Sequence, residues 1–190
     1  MTIEADLPDA LANVLDTASV AAMAAMAATD TATPATPLRA PLDRAWIAAH
    51  IPHSGAMCLL DTVEAWDEAR IRCSATSHRD PRNPLRSRGR IAAVSGIEYA
   101  AQAMAVHGAL HAVRDGALAG RPRVGYLASV RNVEARIARL DTLDAALVIE
   151  AERVSGDGNS ILYGFTVRCD EHVLLTGRAA VVLDASAVIR

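Results

Sequence analysis

One acid, Glu98, interrupts an otherwise apolar helical run from Ile91 to about Arg114, and it is the residue here best suited to moving protons. Its neighbours along the helix face are Val94, Ser95, Ala101 and Gln102. A carboxylate buried among such side chains is desolvated, which raises its pKa and makes it a general acid near neutral pH. The alternative is a salt-bridged or surface Glu. Gln102, one turn on, can hydrogen-bond Glu98 or an orienting group. His53 follows Pro52 in a constrained turn, and a neutral imidazole there is a candidate proton acceptor. It can equally pin the turn as a structural residue. His78 opens a polar loop and is a second, weaker contender beside the ordinary loop His it resembles.

Other groupings carry less. His107 and His111 stand at i, i+4, which is metal-ligand spacing. No carboxylate or Cys completes the set, so two hydrogen-bonded helix histidines and no metal are expected. Arg79, Arg82, Arg86, Arg88 and Arg90 crowd the segment before the helix. They form either a solvated loop or a docking surface for phosphate or an acidic partner. No Ser-His-Asp arrangement, P-loop or dinucleotide fingerprint is present.

These residues need elements to hold them. Asp43 to Ala49 reads as a short helix with Asp43 as N-cap, broken by Ile51-Pro52-His53-Ser54-Gly55. Leu59 to Trp66 and Ala69 to Ser77 read as strands around Asp67-Glu68. In the second, Ile71, Cys73 and Ala75 alternate with Arg70, Arg72 and Ser74, a half-buried pattern. His78 to Gly89 is a loop. The helix from Ile91 is apolar round most of its circumference and is therefore a buried helix. Gly116 and Gly120 close it. Period-two strands follow over Val124–Ala138, Ala145–Val154, Ile161–Cys169 and Val173–Leu183, with turns at Ser155–Asn159 and Asp170-Glu171. Short connections imply an antiparallel sheet, and one buried helix requires that sheet to curl around it: an α+β architecture.

Composition bounds the rest. The chain has 190 residues, 52% hydrophobic and 22% charged, with net charge −3. That supports one domain with a real core. All 19 basic residues are Arg, yet there is no basic excess, and aromatics are 3%, so nucleic-acid binding is not expected. Three widely spaced cysteines, at 58, 73 and 169, fit a reducing compartment and a cytoplasmic location. Residues 1–42 read as an Ala/Thr/Pro-rich extension. Its run Ala18–Ala28 is too short to span a bilayer, Thr29–Pro37 is a linker, and no targeting signal is legible. The folded domain is expected over 43–190.

Two motifs point to a family. Pro52-His53-Ser54-Gly55-Ala56-Met57-Cys58-Leu59-Leu60-Asp61 resembles the entry motif of the FabZ-type 3-hydroxyacyl-acyl-carrier-protein dehydratases, with Pro-His, a short turn, a hydrophobic run and Asp at the same length. Ile97-Glu98-Tyr99-Ala100-Ala101-Gln102 resembles their Glu-x-x-Ala-Gln helix motif. The intervening loop, with Asn83-Pro84-Leu85, is most similar to the aryl-polyene, ApeP-like branch. The resemblance covers about residues 44–184. There are two departures. The family's loop His stands fourteen residues before the helix Glu, where this chain has Pro84. The Pro-Gly that opens the family's helix is replaced by Ala92-Ala93.

The resemblance implies a hotdog fold, a curved antiparallel sheet wrapped around one long central helix. It implies elimination of water from 3-hydroxyacyl thioesters on an acyl carrier protein, in fatty-acid-like or polyene biosynthesis. Glu98 and His53 would then be catalytic, as acid and as replacement base. Backbone N–H groups at Ala93, Val94 and Ser95 would stabilise charge on the thioester oxygen. Met57, Gln102 and His78 would line the substrate. The Arg cluster would meet the carrier or its phosphopantetheine phosphate. No other cofactor is implied. The site would lie at an interface with a second copy or a related hotdog subunit. A non-catalytic acyl-binding or complex-stabilising hotdog partner, and a hotdog thioesterase, remain as alternatives.

Overall fold

The computed structural model describes residues 39–116, 125–156 and 159–183. The expected Ala18–Ala28 helix, the Thr29–Pro37 linker, Gly120 and the centre of the Ser155–Asn159 turn lie outside these residues. The chain opens with β1 (Leu42–Asp43) and α1 (Arg44–His50). The Asp43 carboxylate accepts the Trp46 N–H at 2.9 Å, capping α1 as its side-chain chemistry dictates. The helix stops at Ile51 because a residue before proline is driven into extended geometry, here φ −118°, ψ 156°.

β2 (Thr62–Trp66) and β3 (Arg70–Ala75) form a hairpin. The Asp67 carboxylate accepts the N–H groups of Ala69 and Arg70, both at 2.8 Å, which closes the turn. Ile71, Cys73 and Ala75 are buried as their alternation required, while Arg70 and Arg72 reach Glu152, Glu64 and Glu150 on the outer face. After the loop comes α2 (Gly96–Arg114), then β4 (Tyr126–Ala135), β5 (Leu147–Gly156), β6 (Ser160–Cys169) and β7 (His172–Val182). All strands join one antiparallel sheet in the order β1-β2-β3-β5-β6-β7-β4. The sheet curves around α2, which buries Tyr99, Ala103, Val106 and Leu110 against it.

α2 begins five residues later than the apolar run suggests. Ala92 makes a bridge to Arg139, and Ala93 to Ser95 form a 3-10 turn. Regular helix starts at Gly96, packed closely on β7: a Cβ there would stand 2.8 Å from Leu175 Cδ2, so a side chain would force Leu175 to shift.

Near the other end of α2, His107 is fully buried. Its Nε2–H donates to the Asp67 carbonyl at 2.9 Å, and the Tyr163 hydroxyl donates to its Nδ1 at 3.1 Å. His111 Nε2 lies 3.2 Å from His107 Nε2. The pair thus clamps the β2–β3 turn to the helix. Burial pushes the His107 pKa down to about 4. The unfolded chain takes up a proton near pH 6.5 while the folded chain does not, so stability falls as pH drops from about 6.5 towards 4, by about 3 kcal/mol in total. Urea denaturation at pH 7 and pH 4.5 should show this loss in the wild type. His107→Gln, which keeps a donor for the Asp67 carbonyl, should lose markedly less.

Candidate active site

The segment between α1 and β2 is short, irregular and tied down at every turn. Gly55 takes φ +58°, and Gly55–Met57 form a 3-10 turn closed by Met57 N–H to the Ser54 carbonyl at 3.1 Å. Further on, Asp61 accepts the Arg44 guanidinium at 3.0 Å and both the N–H and the hydroxyl of Thr76 at 2.6 Å. Arg44 also donates to the Cys58 carbonyl. The Asp of the entry motif is therefore an anchor for the segment.

Gln102 fastens the middle of the segment to α2. It is fully buried. Its Oε1 accepts the Leu59 N–H at 2.9 Å, and its Nε2 donates to the Met57 carbonyl at 2.8 Å and to Glu98 Oε1 at 3.1 Å. A backbone N–H can only donate, so this network sets which end of the amide faces Glu98.

The consequence is a close pair. His53 Nε2 lies 3.1 Å from Glu98 Oε1, and the two side chains are 10% and 12% exposed. Two donors thus converge on Oε1, from His53 and from Gln102. His53 Nδ1 is sealed from solvent and has no hydrogen-bond partner among the described residues. A neutral imidazole carries one N–H, and a buried N–H without an acceptor is the less tolerable orphan. The proton therefore belongs on Nε2, where the carboxylate accepts it.

The other expected site residues are distributed differently. Met57 is half-buried beside the pair, with its carbonyl held by Gln102. Ala93, Val94 and Ser95 precede Glu98 by one turn. The N–H groups of Ala93, Ser95 and Gly96 are already engaged, with the carbonyls of Ala138, of Ala92, and of Ala93 and Val94. His78 does not join the pair. It is fully buried, its Nε2–H donates to the Leu143 carbonyl at 3.1 Å, and burial pulls its pKa down. A sealed ring bonded away from Glu98 cannot line a substrate, so its expected place there is corrected.

The loop carries a network that residue type alone did not announce. Asn83 Nδ2 donates to the Ser77 carbonyl at 2.8 Å and to the Tyr99 hydroxyl at 3.1 Å. Ser77 Oγ–H donates to the Leu59 carbonyl at 2.8 Å, which leaves Tyr99 to donate to Ser77 Oγ at 2.9 Å. Loop, helix and entry segment are thereby joined one residue beyond Glu98. The Arg cluster divides in the same way. Arg79 donates to the Asp144 carbonyl, Arg82 pairs with Asp80, and Arg86 reaches the carbonyls of His78, Asp80 and Gly89. Arg88 and Arg90 are exposed on the turn that joins Ser87 to Arg90, with no side-chain partner among the described residues.

Among the described residues, no helix is long and apolar enough to cross a membrane. No curated protein sequence matches the chain. Among solved structures, the dehydratase heterocomplex ApeI:P from Xenorhabdus doucetiae is similar at 22% identity, covering 76% of this chain and 97% of that one with a TM-score of 0.65. A mutant thioesterase from Pseudomonas aeruginosa matches at 13% identity over 77% and 97%, with a TM-score of 0.49. The first likeness shows the hotdog fold. A family model described as ApeP dehydratase, ApeP-like, matches residues 45–188, about three quarters of the sequence. On that match over Glu98, His53 and the elements that bring them together, the chain belongs to the ApeP-like dehydratase family.

Proposed function

We propose that the chain removes water from 3-hydroxyacyl thioesters carried on an acyl carrier protein, giving trans-2-enoyl thioesters for fatty-acid-like or polyene synthesis. The observation that carries this reading is the 3.1 Å contact between His53 and Glu98. The reaction needs a group to take a proton from C2 and a proton for the hydroxyl leaving C3. A semi-buried carboxylate with one oriented imidazole neighbour suits that task. A thioester oxygen lying near the start of α2 would meet the positive end of the helix, which favours negative charge there; the N–H groups of Ala93 and Ser95 are engaged elsewhere and would not serve as its donors. No cofactor beyond the carrier's phosphopantetheine is required.

The partner is read as a related hotdog subunit, as in the ApeI:P heterocomplex, or a second copy. β4 supports this: among the described residues it is an edge strand, paired with β7 alone, and it exposes Tyr126 and Val133. Arg88 and Arg90 suit an acidic carrier. Reversing both to Glu should raise KM for a carrier-bound substrate roughly tenfold and leave a small-molecule thioester unaffected. Steady-state kinetics with both substrates would check this.

The reading is tested by mass spectrometry of a 3-hydroxyacyl carrier protein incubated with the folded chain, alone and with a related hotdog subunit. Loss of one water supports a dehydratase. Release of free thiol would make the chain a thioesterase. No change at any acyl length would make it an acyl-binding partner.

A further inference from the structure

We infer that Glu98 performs both proton transfers, and that His53 is a positioning residue held as the Nε2–H tautomer. The inference rests on the dehydratase reading and divides the labour within it. A division in which His53 is base and Glu98 acid requires Nε2 to be bare at the start. The single proton of the neutral ring must then sit on Nδ1. The reverse division needs an imidazolium, which also carries a proton on Nδ1. Among the described residues no acceptor stands there, and the atom is already buried from solvent. Neither a substrate nor a second subunit reaches it without moving the segment. That segment is fixed by Pro52, by the turn at Gly55 and by Gln102 on Met57 and Leu59.

No other imidazole in the chain stands in for it. His50 stacks on Trp46 and bonds its carbonyl, His78 is sealed on Leu143, and His107 and His111 hold the β2–β3 turn. His172 opens β7. Glu98 is left with one oxygen, Oε1, bearing two donated hydrogen bonds, and with Oε2 uncommitted among the described residues. In the step proposed, Oε2 takes the proton from C2. The electron pair of that C–H bond forms the C2=C3 double bond as the C3–O bond breaks. The departing oxygen takes the same proton back from Oε2 and leaves as water, and the carboxylate is regenerated. Both transfers lie on one face of the substrate. The imidazole N–H keeps the carboxylate turned towards it throughout.

Gln places an N–H donor close to where His Nε2 stands, but it cannot accept and release a proton. His53→Gln should therefore keep kcat within about tenfold of the wild type, with an unchanged pH profile, while His53→Ala falls further. Equal, large losses in the two variants, or disappearance of a pH limb in His53→Gln, would overturn the inference. Nitrogen-15 spectra of His53 in the full chain give a readout independent of turnover. A protonated Nε2 and bare Nδ1 near neutrality is the expected pattern, and a protonated Nδ1 would overturn the assignment. If the wild type dehydrates nothing, the functional reading fails while the spectrum still decides the tautomer. If either variant fails to fold, the spectrum decides alone.

Discussion

Glu98→Gln should lower the dehydration rate by 10²- to 10⁴-fold, the usual range for removing a positioned acid–base group. Stability should hardly move. The amide oxygen of the substituted side chain can accept the same two hydrogen bonds, from His53 Nε2–H and Gln102 Nε2–H, that Glu98 Oε1 accepts now. What is lost is the charge and the ability to carry a proton. Weakening two charge-assisted bonds to neutral ones sets a change of about 1 kcal/mol. Rate by mass spectrometry and midpoint by thermal denaturation, measured on one preparation, separate the two effects. A variant that dehydrates at the wild-type rate would remove Glu98 from the chemistry. A variant that loses rate and fold together would make Glu98 a structural anchor.

Local features of this fold were legible in the sequence because local chemistry decides them. Asp43 caps α1 since its carboxylate reaches the Trp46 N–H three residues on. The alternation over Ile71, Cys73 and Ala75 marks the inner face of β3 since side chains alternate along any strand. Glu98 and Gln102 meet since i and i+4 share a helix face. Long-range closure was less legible. Nothing in the spacing of His53 and Glu98 says that Gln102 will hold the entry segment against α2, and only the family resemblance brought the two motifs together. The start of α2 was misplaced because Ile91, Ala92 and Ala93 have helical character in isolation. Tertiary pairing overrides it: Ala92 bridges Arg139, and Ala93 N–H takes the Ala138 carbonyl. The loop arginines read equally as a solvated loop or as a docking surface, and neither reading anticipates internal partners. The turns of the loop leave carbonyls to be paired, and Arg86 satisfies those of His78, Asp80 and Gly89, while Arg79 reaches out of the loop to the Asp144 carbonyl. Asn83 stands in the loop motif that resembles the family's, yet its role as the loop's hydrogen-bond hub depends on Tyr99, sixteen residues away.

Gln102→Leu is expected to be the most destabilising single change in the site. The Leu59 N–H and the Met57 carbonyl would both lose their partner beside a fully buried side chain. Leaving such groups unsatisfied costs about 1–3 kcal/mol each, so a total of roughly 2–6 kcal/mol is expected. That is roughly 5–25 °C in Tm for a domain of this size. Activity should fall with it, because the segment that carries His53 is released from α2 and Glu98 loses one donor. Gln102→Glu distinguishes the hydrogen bonds from the bulk. Its carboxylate can still accept the Leu59 N–H, but it turns lone pairs towards the Met57 carbonyl and towards Glu98. Two carboxylates so close cannot both stay ionised, so one binds a proton more tightly folded than unfolded. A group with a raised folded pKa stabilises at low pH and loses that contribution as pH rises. Gln102→Glu should therefore approach wild-type stability near pH 5 and fall away by pH 8, whereas Gln102→Leu should stay below the wild type by a similar margin at both. Urea denaturation of the three proteins at the two pH values reads this directly. A pH-independent deficit in Gln102→Glu would mean that the amide fills space there and does not hold Glu98 in place.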